Sequence, residues 1–234
     1  MKKSFIVLLV ILFPVTCCYS QDKACLSLQF GSSIPTGDFG NTNASKSKAG
    51  LAKNGSIFEV SFTGKFNEYL GLTGIVIGGN NSMDKDALLN YYHSQYPDID
   101  WSVNTTSWVT GGLFFGGYGS VPLWKDKLSL DFKLTLGFLH CKSPELTSTG
   151  AQGTHSLWVN MSSASGNSFS TLIGTGLKYN ISKSICFLAN LEYVSAAFDF
   201  QNIQLSSNFG YSNSGYLTQD FSEMNLVAGI GIRM

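Results

Sequence analysis

Charge is scarce in this chain. Asp, Glu, Lys and Arg together make up 13% of its 234 residues, about half the share usual in soluble domains. The 15 basic and 15 acidic residues cancel, which excludes the basic excess expected of a nucleic-acid binder. Proline numbers five and cysteine five, and the cysteine spacing matches no zinc or redox motif. Beyond the N-terminus no apolar run is long enough for a spanning helix, which needs about 20 residues. No strong helical period appears either; only Asp84 to Gln95 reads as a short helix inside a loop.

What is abundant is glycine, at 25 residues, and aromatic residues, at 13%. The first stretch, MKKSFIVLLVILFPVTCCYSQ, has a basic start at Lys2 and Lys3, an apolar run from Phe5 to Val15 and the small residue Ser20. It reads as a secretory signal peptide over residues 1–20, cut after Ser20, with one domain over 21–234. Removing residues 1–20 leaves 13 basic against 15 acidic residues and three cysteines, Cys25, Cys141 and Cys186. Three is odd, so at most one disulfide can form. Cys25 and Cys141 fall near opposite ends of their predicted strands, and the cysteines read as small strand residues.

Period-2 alternation bounded by turn residues predicts eight strands. They cover Ala24 to Ser32, Gly55 to Phe66, Tyr69 to Gly79, Thr106 to Val121, Lys127 to Phe138, Asn167 to Ile181, Ser184 to Phe198 and Met224 to Met234. The fifth, KLSLDFKLTLGF, sets Leu128, Leu130, Phe132, Leu134, Leu136 and Phe138 against Ser129, Asp131, Lys133, Thr135 and Gly137. The third and fourth alternate less cleanly. Connections after strands two, four and six are tight, at Asn67, at Pro122 to Asp126, and at Ser182 to Lys183. Those after strands one, three, five and seven are long and polar: Ser33 to Asn54, Asn80 to Thr105, Lys142 to Gly166, and Asp199 to Thr218. Four such loops would count against a compact soluble domain. An up-and-down membrane barrel expects them, with short periplasmic turns, long outer loops and both termini inside. The expected fold is therefore all-β: an eight-stranded, antiparallel, up-and-down transmembrane β-barrel with four long extracellular loops.

The charged positions decide which face points out. Glu59, Asp131, Glu192 and Glu223, with Lys65, Lys133, Lys178 and Arg233, all fall on the face opposite the bulky apolar residues. Eight strands enclose an interior just wide enough for side chains. Charges there must pair, and four of each sign predict a lumen of interlocked ion pairs with small Gly, Ser and Thr residues. The inverted alternative is a soluble lipocalin-like carrier. It would have to pack Phe, Leu and Ile from eight long strands into that narrow space. Trp124, Tyr69 and Tyr179 are expected in a periplasmic aromatic girdle, and Trp101, Trp108, Phe169 and Phe198 near the outer rim.

The segment ending YSQ, the phrase GSSIPTGDFG (Gly31 to Gly40) and the closing AGIGIRM resemble the small outer-membrane β-barrel proteins abundant in Bacteroidetes, labelled porin-like or OmpA/OmpX-type barrels. The likeness spans the mature chain and rests on pattern. One departure is Met234, where such proteins end in an aromatic residue read by the barrel-assembly machinery. The resemblance implies outer-membrane lipid and that machinery as partners, and a surface or envelope protein met through the loops. Nucleic acid is not among them.

Chemistry is thinly signalled. His140 could pair with Ser143 or Glu145 as in rim lipid-modifying enzymes, but no motif supports it. The cluster GGLFFGGYG (Gly111 to Gly119) lacks the strand–loop–helix context of a phosphate loop. Asp84, Asp86, Asp98 and Asp100 match no calcium-loop spacing. No cofactor, metal or catalytic residue is expected. The leading expectation is a structural or surface-interaction role through the loops, around a closed, charge-paired lumen. The alternative is a narrow porin-like channel or an accessory component of an envelope secretion system.

Overall fold

The computed structural model describes residues 24–124, 127–153, 155–208, 210 and 212–234. The predicted signal peptide lies outside them. Among the described residues eleven strands and one helix follow in order: β1 (Ala24–Pro35), β2 (Ala52–Lys65), β3 (Leu70–Met83), α1 (Lys85–Gln95), β4 (Asp100–Thr105), β5 (Ser107–Trp124), β6 (Leu128–Lys142), β7 (Leu146–Gln152), β8 (His155–Met161), β9 (Ser165–Asn180), β10 (Ile185–Ser207) and β11 (Ser212–Arg233). Eight of them close a ring in the order β11–β1–β2–β3–β5–β6–β9–β10, with β10 returning to β11. Every pairing is antiparallel. The seam joins the two chain ends, from Cys25 opposite Arg233 to Pro35 opposite Glu223. The ring is thus the predicted eight-stranded barrel.

Short turns at one end have local causes. Asn67 Oδ1 accepts from the backbone N–H groups of Tyr69 and Leu70 at 2.9 and 2.8 Å. Ser182 Oγ does the same for Ser184 and Ile185 at 3.2 and 3.0 Å. Such side chains cap tight turns by offering the backbone an acceptor.

The alternation sets the two faces. Along β6, Phe132, Leu134, Leu136 and Phe138 are exposed, while Asp131, Lys133, Thr135, Leu139 and Cys141 are buried. Along β11, Leu226, Ile230 and Ile232 are exposed and Glu223, Asn225 and Val227 are buried. Isolated exposed Leu or Phe residues are ordinary on soluble proteins, but a continuous apolar belt is not. Charge inside and grease outside is the pattern of a membrane-spanning barrel.

The long connections carry more order than their composition suggests. Between β3 and β5, Asp84 caps α1 by accepting from the Ala87 N–H at 3.1 Å, which realises the expected short helix. The predicted third loop folds back as the β7–β8 hairpin. β8 pairs with β10 through Val159 to Met161 and Ser207 to Leu205, and β4 adds to β7. The fourth loop, expected from Asp199 to Thr218, is mostly strand. β10 and β11 run 23 and 22 residues, where about nine to eleven suffice to cross a bilayer. Their paired ends project as a hairpin beyond the wall. A register shift between Phe200 and Ile203 marks the exit, and Asn202 there takes φ 60°, a conformation asparagine tolerates better than most residues.

Two rim expectations need correction. Trp108 and Phe198 point into the barrel and are almost fully buried, whereas Phe169 is exposed. Both lie on the inward phase of their strands, which their rim position alone did not reveal. Tyr69, Trp124 and Tyr179 are exposed at the short-turn end. A closed barrel should resist detergent until heated. Unboiled protein in dodecyl sulfate is therefore expected to migrate apart from boiled protein, and a single unchanged band would contradict closure.

Candidate functional site: a closed lumen and an ordered head

The lumen is layered along its axis. In the middle layer Lys133, on β6, reaches across the lumen to β2, three strands away around the ring, and to β10, two strands away. Its Nζ donates to Glu59 Oε1 on β2 at 3.1 Å and to Glu192 Oε1 on β10 at 2.6 Å. All three residues are buried to within a few percent. Gln29 donates to Glu59 at 2.8 Å and accepts from the Asn190 amide, so β1 and β10 share the network. This cross-bar ties opposite sides of the ring through the space a solute would need. Closer to the short-turn end Asp131 accepts from the Tyr118 hydroxyl, from Ser120 at 2.8 Å and from Ser129 at 2.9 Å. Lys178 stands 3.7 Å from it.

Five of the eight charges singled out from the sequence therefore gather in two groups, Lys133 with Glu59 and Glu192, and Lys178 with Asp131. The other three sit at different heights. Glu223 accepts from Ser33 at 2.7 Å and from the Asn225 amide at 3.0 Å, and neighbours the Ser33–Asn81 contacts. Lys65 donates to the Glu68 carbonyl and Arg233 to that of Ser182, both at 3.3 Å. These two line the mouth with Cys25 and Lys178. The interlocked set of pairs expected from an equal count gives way to separate layers, because pairing depends on axial height as well as on face.

Beyond the polar layers the interior turns apolar. Five rings, Phe39, Trp108, Phe198, Phe200 and Phe221, are buried together. Phe39 comes from the β1–β2 connection. It packs edge-on against Trp108 at 5.5 Å between centroids and tilted against Phe221 at 4.4 Å. Trp108 Nε1 donates to the Gly50 carbonyl at 3.0 Å, which fastens that connection into the barrel mouth. Ile57, Ile75, Phe114, Leu139 and Leu172 continue this core inward. The expectation of an interior built from ion pairs and small residues missed this plug. Its signal was the blurred alternation of the third and fourth predicted strands, where Ile75, Ile77 and Phe114 face in while Val76, Leu113 and Phe115 face out.

Above the plug stands a small head. β4, β7 and β8 extend from the β10–β11 hairpin, and Leu51, Leu88, Val103 and Leu146 form a second core between α1, β4, β7 and the first connection. Tyr92 packs tilted against Trp101, with ring centroids 5.0 Å apart. Lys53 bridges Asp84 and Asp86 at 3.2 and 3.6 Å, which occupies two of the four acidic residues considered for calcium. His140 faces outward and shares a 2.8 Å hydrogen bond with Asn167. Ser143 instead accepts from the Ala164 N–H, so the rim pairing considered from the sequence does not form. Among the described residues no group of three His, Cys, Asp or Glu side chains is gathered as for a metal.

No family model and no curated protein matches the chain. Solved structures do. The attachment invasion locus protein Ail of Yersinia pestis is 16% identical, with TM-score 0.47, over 92% of this chain and all of that one. Neisserial surface protein A is 12% identical, with TM-score 0.43, over 90% and 97%. A major outer membrane protein of Thermus thermophilus is 12% identical, with TM-score 0.47, over 90% and 99%. At these scores the fold assignment rests on the strand register described above.

The cross-bar makes a quantitative prediction. Lys133→Met leaves two buried carboxylates without their cation and should lower unfolding stability in detergent by roughly 3–5 kcal/mol, the usual cost of breaking a buried pair from one side. Adding Glu59→Gln and Glu192→Gln should recover most of that loss. Urea titration followed by tryptophan fluorescence reads both; an unaffected single variant would mean that Lys133 holds nothing.

Proposed function

We propose that this protein is an outer-membrane barrel acting as a structural or surface-interaction element, with its head outside the cell and both termini in the periplasm. The observation that carries the reading is the combination of a doubly closed lumen with an ordered head. The Lys133 cross-bar and the five-ring plug block the same axis in series, so diffusion through the wall is opposed twice. An aqueous channel ordinarily needs about sixteen strands. The part left to act is the head, which has its own core and hydrogen-bonded sheet. Recognition commonly sits on loops held by a rigid scaffold. Tyr216, 82% exposed, and Tyr96 offer aromatic contact points there. The apolar belt supports lipid as the immediate surroundings, and the strand-and-turn pattern fits insertion by a barrel-assembly machinery. A narrow channel or a secretion accessory is the second reading, favoured only by the polar lower half of the lumen.

Orientation and closure are separately measurable. An epitope inserted at Gly210 should bind antibody on intact cells, while the same epitope between Ser182 and Lys183 should bind only after the envelope is opened; the reverse pattern would overturn the topology. In planar bilayers the protein should give no stepwise conductance, and discrete steps would favour the channel. Replacing residues 146–161 by a short Gly/Ser turn should preserve heat-dependent mobility yet abolish adhesion of expressing cells to epithelial monolayers. Equal adhesion with and without the segment would count against the surface-interaction role.

A further inference from the structure

Two of the three cysteines beyond the predicted signal peptide, 161 residues apart, meet at the mouth of the lumen. Cys25 Sγ and Cys186 Sγ stand 3.6 Å apart. Cys25 is the second residue of β1 and Cys186 the second of β10. The strand between them is β11, where Cys25 lies opposite Arg233 and Cys186 opposite Gly231. Gly231 makes the approach possible: a Cβ at that position would fall 2.7 Å from one sulfur and 2.8 Å from the other. Cys25 also lines a mouth cavity of about 330 Å³ with Lys65, Lys178 and Arg233, so reagents reach it from the short-turn end. Cys186 is buried behind it, and Cys141 is buried in the apolar core instead.

We propose that Cys25 and Cys186 form a disulfide clasp across β11, closing the barrel seam from the inside. The proposal rests on the reading that this mouth opens to the periplasm, an oxidising compartment. The partly buried Cys25 gives up its S–H proton and attacks an incoming periplasmic disulfide, carried by a protein or a small molecule. One sulfur of that disulfide bonds to Cys25 and the other leaves as a thiolate. Cys186 then loses its proton, attacks Cys25 Sγ and expels the second thiolate. The two cysteines lose two electrons, the incoming disulfide gains them, and its two thiols take up the two protons. Bonding shortens the sulfur separation by about 1.5 Å, to the 2.05 Å of a disulfide. That requires the ends of β1 and β10 to draw together. Both residues sit at strand ends on the rim, and Gly231 leaves no side chain between them. The bond would join the first strand of the wall to the seventh, with the last strand held between.

The test uses the protein from the outer-membrane fraction, quenched in acid, unfolded and alkylated, with adducts mapped by peptide mass. Without reductant only Cys141 should be alkylated; after reduction Cys25 and Cys186 should join it. Cys25→Ser should free Cys186, Cys186→Ser should free Cys25, and Cys141→Ser should leave the linkage intact. The wild-type reading does not depend on whether those variants fold. If Cys25 and Cys186 are both alkylated without reductant, even after the folded barrel is exposed to oxidised glutathione, the clasp is refuted. Heat-dependent gel mobility on the same sample separates the two failures. A mobility shift with free thiols overturns the clasp alone, whereas no shift overturns the barrel reading and the clasp with it.

Discussion

The structure depends on satisfying every backbone donor and acceptor of a sheet that lies in lipid. No water is present in the bilayer core to complete an open edge, so a spanning sheet has to close on itself. The eleven-residue register between β1 and β11 provides that closure, which is why the first and last stretches of the barrel are neighbours. Closure brings curvature, and curvature brings backbones close. A Cβ at Gly229 would fall 1.9 Å from the Leu28 carbonyl oxygen, so the seam at this position admits only glycine without rearrangement.

Once the wall is closed with its apolar face outward, the inward face determines what the barrel can do. Eight strands leave a space that side chains can fill, and here they fill it in two ways. The lower half is filled by hydrogen-bonded charge, centred on Lys133 between Glu59 and Glu192. The upper half is filled by rings, with Phe39 lowered in from a connection. Where charge enters the apolar half it comes with partners: Glu223, on β11 between the core residues Phe221 and Val227, accepts from Ser33 and from the Asn225 amide, as a buried charge must. The rings lie beneath the head, the Lys133 group spans the middle, and the Lys178–Asp131 pair lies closer to the short-turn mouth. That arrangement closes the pore and leaves the head as the exposed, ordered surface.

Most of the wall was legible in the sequence. The alternation in KLSLDFKLTLGF and MNLVAGIGIRM gave the strands and their faces, since lipid and lumen impose opposite chemistry on successive residues. Asn67 and Ser182 marked two tight turns through their own backbone hydrogen bonds, and Asp84 marked the start of a helix. The charges were assigned to the lumen by face, but their grouping was not visible. Axial height follows from register between strands, and one strand read alone does not contain it. The head was missed for a related reason. β4, β7 and β8 are only six or seven residues long; half or more of β4 and β7 is Ser, Thr, Asn and Gly, and β8 runs Leu157, Trp158 and Val159 together without alternation, so they become strands by pairing with partners such as Leu205 to Ser207. The cysteine pair was hidden likewise: Cys25 and Cys141 fall near opposite ends of their strands, while Cys25 and Cys186 share the short-turn end and meet only once β11 is placed between them.

Accessibility measured residue by residue along one strand tests the central claim most directly. Single nitroxide labels at positions 130 to 139 of β6, in lipid vesicles, can be probed with oxygen, which concentrates in the bilayer, and with a water-soluble nickel chelate. The account predicts strong oxygen broadening at 132, 134, 136 and 138 and weak broadening by either reagent at 131, 133, 135 and 137. Chelate access at the even positions, with oxygen access at the odd ones, would mean that the apolar face is turned inward, and the account of wall, lumen and head would be wrong.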